Sequence, residues 1–295
     1  MKSRQKLLIA LLILLPVLIG IVVITSGDGA GSALALQKKI GLVRITDVIY
    51  SSDKYTKQLR KFRNDNSVAG VILRINSPGG TVAPSQEIYY EILRFRDSNK
   101  PVVVSMENVA ASGGYYIACA AHRLFANPGT LTGSFGVYMR FPHFYRLSEK
   151  IGIDMTTIKA GEFKDLGNPH RKITEEEKKL LQNLLSDTHD QFIEDIAYGR
   201  SLDIDSVRAL ADGRIFTGRQ ALHLGLVDTL GGYQDAATYI KSYCGLPEKT
   251  KIIENRAADG LWKNLLTDAM NELFPFLQFL GQPAGSYFLF DGFLY

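Results

Sequence analysis

Strand, turn and helix alternate about every thirty residues from Ile40 onward, which predicts an α/β fold of stacked parallel βα units. Three observations carry this. Gly70-Val71-Ile72-Leu73-Arg74-Ile75 is a compact apolar run of strand length, suited to a sheet covered on both faces. Pro101 to Met106 repeats the pattern, and each run ends in a small-residue turn, Asn76-Ser77-Pro78-Gly79-Gly80-Thr81 or Ala110-Ala111-Ser112-Gly113-Gly114. Thr174 to Arg200 is a long helix opened by a capping box, Thr174 with Glu177.

The amino end sits outside this rhythm. Residues 1–6 carry Lys2, Arg4 and Lys6, and the chain then runs without a charge from Leu7 to Ser26. At about 1.5 Å per residue, roughly 20 apolar residues span a bilayer core. Residues 7–25 are therefore expected to be a transmembrane helix, with the basic flank of residues 1–6 cytoplasmic and the remainder extracytoplasmic. Ala33-Leu34-Ala35 resembles a signal-peptidase site, but the apolar run exceeds a secretory signal's length and favours an uncleaved anchor. Residues 26–38, with Gly27, Gly29, Gly31 and Ser32, read as a flexible linker.

The elements follow in order. Ile40 to Ile45 reads as a strand and Tyr55 to Phe62 as a helix; after the Gly79-Gly80 turn, a helix runs from about Ser85 to Arg96. An apolar helix follows Ser112, then strands at His122 to Ala126 and Ile153 to Ile158. Beyond the capped helix come Asp203 to Ala211, stopped by Gly213, and Arg219 to Leu224. The net charge of +4 is partly the membrane flank and forms no basic stripe, so no nucleic-acid partner is expected. Cys119 and Cys244 are expected to be two buried thiols. No CxxC pair or HExxH occurs, so no metal and no cofactor is expected.

Parallel sheets bind ligands beyond the carboxyl ends of their strands, where Gly79-Gly80 and Ser112-Gly113 both fall, on consecutive units. A serine at a strand-to-helix turn lies beside free N–H groups at the helix start, the setting acyl transfer needs. A plain N-cap and a plain tight turn are the ordinary readings of the same residues. The hydroxyl requires a base. None of His122, His143, His170, His189 and His223 has a triad-like context, so a desolvated lysine is the other candidate, and composition alone does not choose which.

Four stretches together resemble the signal peptide peptidase A (protease IV) family. They are Arg74-Ile75-Asn76-Ser77-Pro78-Gly79-Gly80, Ala110-Ala111-Ser112-Gly113-Gly114-Tyr115-Tyr116, Leu131-Thr132-Gly133-Ser134-Phe135-Gly136-Val137 and Lys159-Ala160-Gly161-Glu162-Phe163-Lys164-Asp165. Ala211-Asp212-Gly213-Arg214 and Leu226-Val227-Asp228 extend the likeness, which covers about residues 40 to 245. The resemblance implies the Clp protease/crotonase fold of repeated ββα units and a Ser-Lys dyad, with Ser112 as nucleophile and Lys164 as general base. It also implies that Ser134 orients the amine, and that an N–H of Gly113 with one of Gly79 or Gly80 forms the oxyanion hole. Glu162 and Asp165 are expected to face away from Lys164, since either would raise its pKa.

Residues 39–247 then form the peptidase domain and 248–295 an aromatic-rich tail. Short family members imply a homo-octamer in which a neighbour's lysine completes each serine site. The expected activity is degradation of cleaved signal peptides and other apolar peptides at the membrane. A catalytically inactive scaffold and a crotonase-type acyl-CoA enzyme are the rival readings. The tail, with Leu273 to Leu277 and Tyr287 to Tyr295, is too interrupted for a second span. It is expected to pack on the body or a ring neighbour, with the membrane surface or the enzyme's own cleft as alternatives.

Overall fold

Every residue of the run Val71-Ile72-Leu73 is buried, because the strand it lies in has helices on both sides. The computed structural model describes residues 38–254 and the strand Tyr287–Leu289. The expectations for residues 1–37 and most of the tail lie outside these described residues. Chain contacts separate Met1–Lys38 from a second unit, Lys39–Tyr295, whose fold follows.

Among the described residues the strands are β1 (Lys39–Thr46), β2 (Val68–Ser77), β3 (Gly79–Thr81), β4 (Val102–Ala111), β5 (Arg123–Ala126), β6 (Leu131–Gly133), β7 (Ile215–Thr217), β8 (Thr229–Leu230), β9 (Ile252–Glu254) and β10 (Tyr287–Leu289). The helices are α1 (Asp53–Asn64), α2 (Val82–Arg96), α3 (Gly113–Cys119), α4 (Tyr145–Lys150), α5 (Glu175–Arg200), α6 (Ile204–Leu210), α7 (Gly218–His223) and α8 (Tyr233–Tyr243). Eight strands form one sheet along the path β7-β6-β4-β2-β1-β9, with β5 and β8 branching from β4. Its pairings are parallel except that of β6 with β7. This is the expected α/β class with a parallel-rich sheet, and it runs on into β9, beyond residue 247.

Alternation along β1 divides the core in two. Val43 and Ile45 face α1, α2, α3 and α5 through Leu59, Ile92, Tyr116 and Phe192. Ile40 and Leu42 face α8 through Ala236, Ala237 and Ile240. Pro84 sits in the first turn of α2, where its missing N–H has no helical partner to lose. That is why α2 starts at Val82, three residues before the sequence suggests.

β4 is the strand that positions the site. It runs on past Met106 to Ala111, because its first half pairs with β5 and its second half with β6. Between the pairs Ile75 with Met106 and Ser77 with Ala110, β4 advances four residues against two of β2. The polar groups freed by this bulge find partners: Asn76 Oδ1 accepts from Val109 N at 3.3 Å, and Thr130 Oγ1 donates to the Glu107 carbonyl at 2.6 Å.

Two expectations need correction. Ile153 to Ile158 is not a strand: every residue from Ile151 to Lys164 is exposed, and Ile158 is 96% exposed. An apolar run becomes a strand only where an edge offers pairing, and the described residues offer none there. Cys244 is only partly buried, whereas Cys119 is fully buried, and burial pushes the Cys119 thiol up; neither forms a disulfide. The capping box of α5 is present as expected. Within the tail, β10 pairs antiparallel with β3, setting Leu289 opposite Gly79 and Phe288 opposite Gly80.

Gly199 of α5 tests how tightly α3 is held. A Cβ there would lie 2.4 Å from the Cys119 carbonyl oxygen, a backbone atom that cannot step aside. Alanine normally gains about 1 kcal/mol over glycine inside a helix. Gly199→Ala should reverse that sign and destabilise by about 1–3 kcal/mol, measured as a lower urea midpoint.

Candidate active site

Ser112 is the junction between β4 and α3. Its N–H donates to the Gly133 carbonyl at 2.7 Å, and its carbonyl accepts the first helical bond from Tyr116 N at 2.8 Å. The chain must turn sharply between these two bonds, and Ser112 takes φ 52° and ψ −118° to do so. A positive φ on a residue with a Cβ is strained by about 1–3 kcal/mol, and such strain is held only by firm surroundings.

Those surroundings are visible. A Cβ on Gly114 would lie 2.8 Å from the Ser77 carbonyl oxygen, so only glycine lets α3 approach the β2–β3 turn this closely. The Tyr115 hydroxyl donates to the Leu226 carbonyl at 2.8 Å, and the Tyr116 hydroxyl bonds the Asp195 carboxylate of α5. Burial raises the pKa of both tyrosines, so they stay neutral donors, and it raises Asp195 as well. Sequence inspection read α3 as an apolar helix and missed these two anchoring hydroxyls. The signal was present in a Tyr-Tyr pair amid otherwise small and apolar residues.

The Ser112 side chain is fully buried, yet its Oγ has no hydrogen-bond partner among the described residues. An orphaned buried hydroxyl costs about 1–3 kcal/mol, which a merely capping serine would not incur. No histidine reaches it. His122 Nδ1 accepts from Val102 N, His170 pairs with Ser148, and His189 bonds the Phe135 carbonyl.

The remaining expected residues fall at definite places. The Gly113 N–H opens α3 and has no partner among the described residues. Gly79, at φ 106°, donates its N–H to Ser77 Oγ at 3.2 Å, while Ser77 Oγ donates to the Asp47 carbonyl at 2.6 Å. The Gly79 carbonyl accepts from Ile49 N, and Thr81 N donates to the Ile49 carbonyl, each at 2.8 Å. By strand alternation the N–H and C=O of Gly80 face the opposite side, where β10 lies. The two glycine turns thus meet at one end of the sheet, as their positions on consecutive units suggest.

Ser134 is also at positive φ, 58°, and is held by its N–H to the Arg214 carbonyl at 2.8 Å. Lys164 lies elsewhere in the chain's order of structure, on an exposed turn outside any helix or strand. Its N–H donates to the Gly161 carbonyl at 3.2 Å, and its Nζ has no partner among the described residues. The Asp165 carboxylate is engaged by Lys159 and by Arg171, not by Lys164. Sequence inspection did not single out Arg171. Among the described residues no group of three His, Cys, Asp or Glu side chains could hold a metal ion, and no helix is long and apolar enough to cross a membrane.

Comparison with known proteins bears on this arrangement. The family model described as Peptidase family S49 matches residues 94–246, and that described as Clp protease matches residues 32–130. A Synechocystis sp. protein provisionally named a protease is 42% identical over 218 residues, covering 73% of this chain and 78% of its own length. An Enterococcus faecium protein provisionally named signal peptide peptidase SppA is 37% identical over 223 residues, 76% of this chain and 65% of its own. Protease 4 of Haemophilus influenzae is 36% identical over 184 residues, 62% of this chain but only 30% of that longer protein.

Strain at Ser112 makes a stability prediction. Glycine tolerates φ 52° where alanine does not, so Ser112→Gly should be more stable than Ser112→Ala by about 1 kcal/mol. Paired urea titrations of the two variants check this, with equal midpoints counting against strain.

Proposed function

Because this chain belongs to peptidase family S49 and is a serine peptidase, we propose that it is a membrane-anchored endopeptidase working through a Ser112–Lys164 dyad. The observation that carries the proposal is the Ser112 hydroxyl: buried, unpartnered and held on a strained turn beside the open Gly113 N–H. Such a group awaits a base and a carbonyl carbon. Lys164, as the neutral amine, takes the Oγ proton while Oγ attacks the peptide carbonyl. The Gly113 N–H stabilises the oxyanion, joined by a second N–H once Gly79 releases Ser77 Oγ or the Gly80 edge is free of β10, and Ser134 orients the amine. Collapse expels the amine with the proton from Lys164. Water, activated by the same lysine, then hydrolyses the acyl-enzyme.

The base comes from a second copy in this reading. Lys164 sits on an exposed segment whose apolar side chains, Ile153, Met155 and Ile158, have little cover within the chain. A surface of this kind is expected to be buried by a partner, and a homo-octamer with dyads shared between neighbours satisfies both the lysine and the serine. The parallel-rich sheet and the Clp protease match support the Clp protease/crotonase superfamily fold of repeated ββα units. Extended apolar peptides, including cleaved signal peptides, are the substrates that fit. The edge at Gly80 offers main-chain N–H and C=O groups to an antiparallel strand, the position that β10 takes. The uncharged run from Leu7 to Ser26, after Lys2, Arg4 and Lys6, supports a single-pass anchor with the catalytic domain outside the cytoplasm.

Cleavage of an apolar fluorogenic peptide tests the dyad. Ser112→Ala and Lys164→Ala should each lower turnover by about 1,000-fold or more. Assemblies mixed from the two variants should regain activity, because some sites then join an intact serine to an intact lysine. Mixtures that stay inactive would place both groups in one chain, and an active Lys164→Ala would remove that residue as the base. Fluorophosphonate labelling confined to Ser112 separates the peptidase from an acyl-CoA enzyme or an inert scaffold.

A further inference from the structure

We propose that Arg171 is a positioning residue for Lys164, fastening the exposed turn that carries the base to the capped end of α5. The inference rests on the reading of Lys164 as the general base. The problem it addresses is physical. No residue from Ile151 to Lys164 is buried, and residues 151–174 contain no helix or strand, so neither apolar packing nor a ladder fixes the amine. Phe144 N bonds the Pro169 carbonyl at 2.7 Å and Ser148 pairs with His170 at 3.1 Å, but both ties fall five or more residues from Lys164, and nearer to it there are short turns such as Leu166 N to the Phe163 carbonyl at 3.1 Å.

Polar contacts supply what packing does not. Asp165, the next residue after Lys164, divides its carboxylate between two cations: Oδ1 accepts from Lys159 Nζ, and Oδ2 accepts from Arg171 Nε at 2.8 Å. Arg171 Nη2 also donates to the Asp165 carbonyl at 3.2 Å, so the guanidinium grips side chain and backbone together. Its far side meets Glu177 in a fork, Nη1 to Oε2 at 2.8 Å and Nη2 to Oε1. Glu177 is itself anchored. It is buried, and it is the third residue of α5, where its Oε2 accepts from Thr174 N at 2.9 Å in the capping box. The line from rigid helix to catalytic turn is therefore continuous: α5, Glu177, Arg171, Asp165, Lys164.

The network has the charge balance to persist. Hydrogen bonds from Arg171 and Lys159 hold the Asp165 carboxyl well below the usual range, and Arg171 draws Glu177 down to about 2. Both acids thus stay ionised at neutral pH and into the mildly acid range. The arrangement also occupies the carboxylate nearest in sequence to Lys164, which could otherwise pair with the amine and hold its proton. A lysine at position 171 could meet one of these acids as a point charge but could not fork both.

The full-length chain carrying Arg171→Ala, Arg171→Lys or Lys164→Ala tests this with an apolar fluorogenic peptide, alongside thermal unfolding and assembly size. Arg171→Ala should lower kcat by about 10- to 100-fold, the cost of a base displaced by about an ångström, with KM little changed. Arg171→Lys should fall between wild type and Arg171→Ala. Millimolar guanidinium ion should restore part of kcat to Arg171→Ala and none to Lys164→Ala. If Lys164→Ala is inactive while Arg171→Ala turns over normally, the role of Arg171 is overturned and the dyad stands. If Lys164→Ala remains active, the dyad reading fails and this inference falls with it. A loss in Arg171→Ala that follows lost folding or assembly, regained with neither lysine nor guanidinium, also overturns it.

Discussion

The site depends on a sharp turn that the chain would not hold unaided. Ser112 joins a strand to a helix at φ 52°, and nothing in a local serine-glycine-glycine sequence favours that conformation for the serine. It is imposed from both sides. Gly133 on β6 receives the Ser112 N–H, so the strand cannot withdraw. Gly114 against Ser77, Gly199 against Cys119 and the Tyr115 and Tyr116 hydroxyls prevent the seven-residue helix α3 from relaxing. An isolated helix of that length would be marginal in water. Burial and backbone contacts make it a fixed platform, and the orphaned hydroxyl is a consequence of that fixity.

The two halves of the proposed dyad are built on opposite physical principles. Ser112 lies in a buried, close-packed region, where even a methyl group on a neighbouring glycine finds no room. Lys164 lies on an exposed turn organised by a network of charged groups, with Arg171 as their common member. A group positioned by packing is complete within its own chain. One positioned by a polar network on an apolar, uncovered segment is suited to meeting another surface, which is the contrast behind the proposal of a shared site.

Much of the site's periphery was legible beforehand because its causes are local. The capping box at Thr174 needs only residues three apart, and the glycine pairs mark tight turns wherever they occur. The limit is equally plain at Ile153 to Ile158, where apolar alternation suggests a strand but no strand among the described residues pairs with it. β4 overran its expected end for the converse reason: polar Glu107 and Asn108 look like a stop, yet Asn76 and Thr130, both distant in sequence, satisfy the bulge. The likeness of four motifs to a peptidase family singled out Ser112 and Lys164, but it carried no information on what supports either.

The sequence by itself determined the α/β class, the order of most strands and helices, the two glycine turns and the serine between strand and helix. These follow from periodicity, turn chemistry and capping, which act over a few residues. Only the tertiary structure decided that β4 bifurcates between β5 and β6, that Gly80 turns its backbone toward β10, and that Arg171 links Asp165 to Glu177. Each of those joins groups whose meeting depends on how separate elements pack. Such pairings are set by the global burial of the sheet and by the need to satisfy every buried polar group, neither of which any short stretch of sequence records.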